Sequence, residues 1–207
     1  MIPADVSLIN DEASLRQHYK QPMSRATDKV LNHLDVHCRA ILALSPFCVI
    51  SSQGDDGADI SPRGDPPGFL KVLDDQRLLL PDRIGNNRLD TFENILVNPM
   101  IGLLVLMPGV DETLRINGSA KITDDKRLLA ESSVRGKAPS VGLLITVRAA
   151  FLHCPKAFAR SNFWDRDNHV NRGKLPSYTV MLADHVAGLS VEESERQARV
   201  MAERGLY

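Results

Sequence analysis

Between residues 25 and 44 the apolar side chains Val30, Leu31, Leu34, Ile41 and Leu42 recur near helical spacing, and Pro46 ends the run. That pattern predicts a helix approaching whatever follows. The texture then changes. Residues 47–52 are short and β-rich, and Gly54-Asp55-Asp56-Gly57 after them is hairpin punctuation, so a partner strand is expected over 58–62. A second strand pair, 69–73 and 77–81, turns at Asp74-Asp75. Leu89, Phe92, Ile95 and Leu96 fall on one helical face within residues 87–97, with Pro99 beyond as a stop. An amphipathic helix plugging one end of the strand assembly is the expectation. Strands follow at 101–107, 112–123 and 141–151, with a short helical piece at 124–132 between the last two. From Pro155 the tail is helical, then loop-like over 165–176, and it ends in a charged helix at 192–204. Six or seven strands in this order suit an antiparallel, closed or nearly closed barrel with peripheral helices. A βαβ fold would place a helix between nearly every pair of strands.

Composition narrows the class. Of 207 residues, 43% are hydrophobic and 25% charged, enough for a packed core in one domain with terminal helical additions. A net charge of −1 offers no overall attraction to nucleic acid or to an anionic membrane, so anion recognition must come from a local cluster. Neither class of partner is expected. No apolar run approaches the ~20 residues that span a bilayer, and residues 1–10 lack the regions of a signal peptide, so a cytoplasmic location is the expectation. Cys38, Cys48 and Cys154 are far apart, read as reduced thiols, and form no four-ligand grouping with histidines; no metal site is expected.

The candidate chemistry lies in two arginine-bearing turns. In Asp59-Ile60-Ser61-Pro62-Arg63-Gly64-Asp65-Pro66-Pro67-Gly68 a strand runs into a rigid turn that presents Ser61, Arg63 and Asp65 together. A fixed guanidinium beside a hydroxyl suits a phosphate monoester, because arginine stays charged and donates two parallel hydrogen bonds. A structural turn with a surface arginine is the plainer reading. In Pro81-Asp82-Arg83-Ile84-Gly85-Asn86-Asn87-Arg88 a strand end leads to the expected helix start, where backbone donors backed by Arg83 and Arg88 would complete a phosphate cradle. There the alternative is a capped helix start, with Asn86 or Asn87 as the cap. His153, Cys154 and Lys156 lack an identifiable base or orienting acid, so a cysteine nucleophile is not favoured. No catalytic residue is assigned.

Four runs in order, SPRGDPPGF (61–69), LPDRIGNNRLDTFENILVNP (80–99), ETLRINGSAKITDD (112–125) and FLHCPKAFARSNFW (151–164), resemble the pyridoxamine 5′-phosphate oxidase-like FMN-binding proteins over about residues 40–165. The resemblance implies a mainly β fold, a six- to seven-stranded antiparallel split β-barrel, here over 46–165; the chain's own pattern adds a helical extension at 1–45 and a C-terminal loop and helix packing on the barrel at 166–207. It implies a homodimer with FMN in clefts at the subunit interface. On this sequence it points to Ser61, Arg63, Arg83, Asn86, Asn87 and Arg88 for the phosphate. Pro81 and Asp82 would run along the flavin ring, Lys156 would approach it from the last strand, and Arg115 would be a contact from the second subunit. Asn117-Gly118, which by spacing alone reads as a hairpin turn, resembles a mid-strand position in the family. Trp164, the single tryptophan, would cover a ligand face or anchor the core. The chain lacks the basic substrate-phosphate signature and the Arg-Leu ending of the pyridoxamine 5′-phosphate oxidases proper, so that oxidation is not implied. The expected function is an FMN-dependent oxidoreductase acting on an unidentified small organic substrate. The alternatives are a flavin carrier or sensor, a deazaflavin- or haem-binding relative, and a cofactor-free barrel.

Overall fold

The computed structural model describes residues 5–205 and 207; part of the chain start read above, residues 1–4, and Leu206 lie outside it. The chain divides into Met1–Val30 and Leu31–Tyr207. The first unit holds α1 (Glu12–Arg16) and α2 (Ser24–Asp28), neither with a buried residue. The continuous helix expected over 25–44 does not form. Asp35 caps α3 (Val36–Leu44) by accepting from the Cys38 N–H, at 2.8 Å, and that cap halts the helix on its N-terminal side. Ahead of it Leu31 forms a β-bridge to Ala150 instead. Only the later half of the apolar period is helical. Leu34, Cys38 and Leu42 bring it into the core.

Seven strands form one antiparallel sheet, and the fold is the mainly β split barrel. The strands are β1 (Phe47–Gly54), β2 (Gly57–Gly64), β3 (Lys71–Val72), β4 (Arg77–Pro81), β5 (Met100–Leu106), β6 (Thr113–Thr123) and β7 (Gly142–His153), in the spatial order β2-β1-β5-β6-β7-β4-β3. Both expected hairpins are present, β1–β2 about Asp55-Asp56 and β3–β4 about Asp74-Asp75. Asn117-Gly118 lies in mid-strand on β6, at a bulge. A Cβ on Gly118 would sit 2.1 Å from the Thr146 carbonyl oxygen, so only glycine admits the approach of β7.

Strand pairing assigns the faces. Ile50, Leu103, Ile116, Leu114, Ile145 and Leu143 alternate onto the inner face and are buried, while the outer face carries Val49, Leu104 and Arg115. α4 (Asp90–Val97) covers the inner face through Phe92 and Ile95, and Asn94 Nδ2 donates to Ser52 Oγ at 3.0 Å. The helix starts at Asp90 rather than Asn87. Asn87 (φ 59) and Leu89 (φ 62) both take left-handed conformations, so neither Asn86 nor Asn87 is its cap. Beyond β6 come α5 (Lys126–Ala130), α6 (Lys156–Ser161), α7 (Tyr178–His185) and α8 (Val191–Arg204). The hydrophobic pattern of 178–185 is too weak to predict α7. Trp164 is anchored: its indole N–H donates to the Val110 carbonyl at 3.0 Å, and its ring stacks on Phe158. Among the described residues no helix is long and apolar enough to cross a membrane.

Candidate functional site

The strands β2 and β4 stand near opposite ends of the sheet order, and the chain leaves each of them at the barrel's open side. Two arginines and two aspartates meet across that split. Arg63, on β2, donates from Nη1 to Asp82 Oδ1 at 3.1 Å, just after β4. Reciprocally, Arg83 donates from Nε at 2.6 Å to Oδ2 of Asp65, which follows β2. Each side of the split thus contributes one guanidinium and one carboxylate.

β2 pairs Asp59, Ser61 and Arg63 with Ser52, Ile50 and Cys48 of β1, all buried. Period-two alternation therefore turns all three side chains to the inner face. They form one wall of a cleft of about 860 Å³, whose other walls are residues 82–92 and 137–141 and the side chain of Tyr207. Small-molecule and cofactor clefts occupy roughly 300–1,000 Å³. Phe92 forms the floor beneath Arg63, with the guanidinium carbon 5.9 Å from its ring centroid.

The polar groups of the cleft are held before any ligand arrives. Arg83 Nη2 donates to the Ser132 carbonyl at 2.7 Å, and Tyr207 Oη donates to the second oxygen of Asp65 at 2.6 Å. The Asp65 side chain is only 2% exposed, so both of its oxygens need these donors. Burial pushes the Asp82 carboxyl above its ordinary value, outweighing the opposing pull of Arg63. Arg63 Nε is buried without a hydrogen-bond partner among the described residues, a donor in want of an acceptor. Arg88 lies further out, paired with Asp90 at 2.8 Å, and its backbone N–H donates to Asn86 Oδ1.

Seven of the ten residues singled out in the sequence, Ser61, Arg63, Asp82, Arg83, Asn86, Asn87 and Arg88, line this one cleft. Pro81 ends β4 and is buried outside the lining. Arg115 lies on the outer face of β6, with its guanidinium carbon 5.0 Å from the Phe151 ring centroid. Lys156 is exposed at the start of α6. Neither reaches the cleft of its own chain. The sequence reading missed Asp59, Thr91, Phe92, Lys137 and Tyr207. Asp59 was within reach of it, since it alternates with Ser61 and Arg63 along β2. Lys137 and Tyr207 carry no local signal, because only the fold brings them to the cleft.

The family model described as pyridoxamine 5′-phosphate oxidase matches residues 34–154, more than half of the chain. No curated protein sequence matches. Among solved structures, HupZ of Group A Streptococcus is 15% identical, with 57% of this chain and 92% of that chain covered and a TM-score of 0.47. A Clostridium acetobutylicum protein related to general stress protein 26, of the pyridoxinephosphate oxidase family, is 14% identical, with coverages of 57% and 87% and a TM-score of 0.42. General stress protein 26 of Bacillus anthracis is 15% identical, with coverages of 56% and 94% and a TM-score of 0.40. With β1 to β7 and the arginine-lined cleft all starting within the matched segment, the chain belongs to the pyridoxamine 5′-phosphate oxidase family.

Proposed function

We propose that the cleft binds FMN and that the protein is an oxidoreductase acting on a small organic substrate. The observation that carries this reading is the convergence of Ser61, Arg63, Arg83 and Arg88 on one cleft of cofactor size, with a buried Arg63 donor still lacking an acceptor. A phosphate dianion offers acceptors that match such a donor set. Ser61 and Arg63 would hold it from β2, Arg83 and Arg88 from the opposite side. Membership of the pyridoxamine 5′-phosphate oxidase family supports the choice.

Bound FMN would supply the redox chemistry, accepting or giving hydride or electrons at its ring. The residues of this chain do the rest. The Arg63–Asp82 and Arg83–Asp65 pairs fix the guanidinium groups in advance, so a ligand need not order them on arrival. Phe92, buried at the start of α4, gives the floor an apolar surface. Asp82 is the titratable carboxyl closest to Arg63 in the cleft, with its proton affinity raised by burial.

A homodimer forms part of the proposal. The outer face of β2 and β1 exposes Ile60 and Phe47 in line with Val49, Pro62, Leu104 and Leu106, and Arg115 lies on the same face. Burying such a surface against a second copy would remove apolar area from water. Sedimentation of the purified protein at micromolar concentration should give a dimer, and a monomer would overturn this part.

The deciding measurement is an absorbance spectrum of the purified protein before and after anaerobic addition of NADPH. Flavin bands that bleach are expected. A colourless protein that takes up no added FMN would overturn the assignment, and bands that never bleach would reduce it to a flavin carrier.

A further inference from the structure

We infer that Tyr207 is a positioning residue of the anion-binding wall, holding Arg83 in place through Asp65. The inference rests on the phosphate-binding reading of the cleft and adds to it a residue far from the matched segment, 142 positions from its partner Asp65.

The geometry forms a chain. Tyr207 Oη donates to Asp65 Oδ1 at 2.6 Å, and Arg83 Nε donates to Asp65 Oδ2 at 2.6 Å. With Nη2 on the Ser132 carbonyl, two of the three guanidinium nitrogens are engaged by the wall. Nη1 has no hydrogen bond among the described residues and remains for a ligand. Asp65 is almost fully buried, so without the phenol one carboxylate oxygen would lose its donor in a place water barely reaches. A carboxylate with one free oxygen can turn toward other donors, and Arg83 would turn with it.

Tyr207 is itself held from several sides. Its ring centroid lies 5.6 Å from the Arg83 guanidinium carbon and 5.7 Å from that of Arg135, and Lys137 Nζ donates to its backbone oxygen at 2.7 Å. Gly205, with φ 77, ends α8 just ahead of it. The Asp65 carboxylate raises the phenol's proton affinity, so at neutral pH Tyr207 is in the donating form. A phenylalanine would keep the ring between the cations and lose only the link to Asp65.

The test is Tyr207→Phe in the wild-type and Arg83→Ala backgrounds. Three probes are used: FMN and riboflavin, titrated by flavin fluorescence, and inorganic phosphate, followed by the rise it causes in melting temperature. Riboflavin lacks the phosphate. Losing one charge-assisted link should weaken FMN by roughly tenfold, leave riboflavin unchanged and shrink the phosphate-induced rise. In the Arg83→Ala background the same substitution should add nothing. Equal weakening of FMN and riboflavin, no weakening of either, or a full effect without Arg83 would overturn the inference while leaving FMN binding intact. If wild-type protein ignores both flavins yet is protected by phosphate, and Tyr207→Phe loses that protection, the FMN reading falls and the positioning role stands. Wild-type protein that responds to none of the three probes overturns both.

Discussion

Arg63 and Asp82 meet at 3.1 Å although their strands are first and sixth in the sheet order, so their ion pair bridges the open side of the barrel rather than a strand pair. Asp65 and Arg83 repeat the bridge with the charges exchanged. Neither pair is an independent surface contact, since none of the four side chains is more than 26% exposed. The split that leaves the barrel open is therefore closed by the residues proposed to hold the ligand. Binding and closure should be coupled.

Arg63→Ala should weaken FMN about tenfold to a hundredfold, the range expected for loss of a hydrogen bond to a charged group. Arg88→Ala should cost less, because Arg88 is 71% exposed and its pair with Asp90 is screened. The double variant should retain almost no flavin through gel filtration. Fluorescence titration and flavin occupancy check this, and unchanged occupancy in the double variant contradicts the proposed site.

Asp82 gives a pH signature opposite in sign to most carboxyls. Its folded-state proton affinity is raised, chiefly by burial, so between the unfolded and folded values the native protein binds more protons than the unfolded chain. Its contribution is present below the unfolded value and is lost as pH rises through the folded one. Asp35 runs the other way, because the Cys38 N–H lowers its value; its contribution is lost as pH falls. The stability of wild type minus that of Asp82→Asn, from urea midpoints, should decline as pH climbs through the window just above the ordinary carboxylate range. A rising difference would show that the Arg63 charge outweighs burial.

Gly118→Ala should destabilise the fold by about 1–3 kcal/mol, the usual cost of forcing atoms into a packed site. The added methyl carbon would stand 2.1 Å from the Thr146 carbonyl oxygen, a backbone atom that moves only if β7 moves. Thermal or urea unfolding measures it, and a wild-type midpoint would mean that the bulge accommodates the methyl.

The three cysteines should separate by reactivity. Burial pushes the Cys48 thiol up to about 12 and the Cys38 thiol up to about 11, whereas Cys154 is exposed. The thiolate is the reactive form. A thiol reagent should label Cys154 in the native protein and all three cysteines after unfolding. Rapid native labelling of Cys48 would mean that β1 is not held in the core as described.

What depends on local period and local punctuation was legible along the chain. Both hairpins, the long strands β5, β6 and β7, and the apolar face of α4 could be read because each is specified by neighbours within a few residues. Ser61, Arg63, Arg83 and Arg88 came from two such local signals, the strand running into a proline-rich turn at 59–68 and the polar run after β4, and the resemblance added Asp82, Asn86 and Asn87. Resemblance, rather than spacing, placed Asn117-Gly118 inside a strand. Long-range pairing and backbone conformation became visible in the folded chain. A sheet bridge from Leu31 to Ala150 took the first part of the expected helix. The left-handed residues Asn87 and Leu89 delayed α4 to Asp90. Arg115, alternating with the buried Leu114 and Ile116, lies on the outer side of the sheet, and only the fold brings Lys137 and Tyr207 to the cleft from distant segments. A side chain's period tells which neighbours share its face, but which distant strand or turn lies opposite that face is settled by the sheet order and by where the barrel stays open.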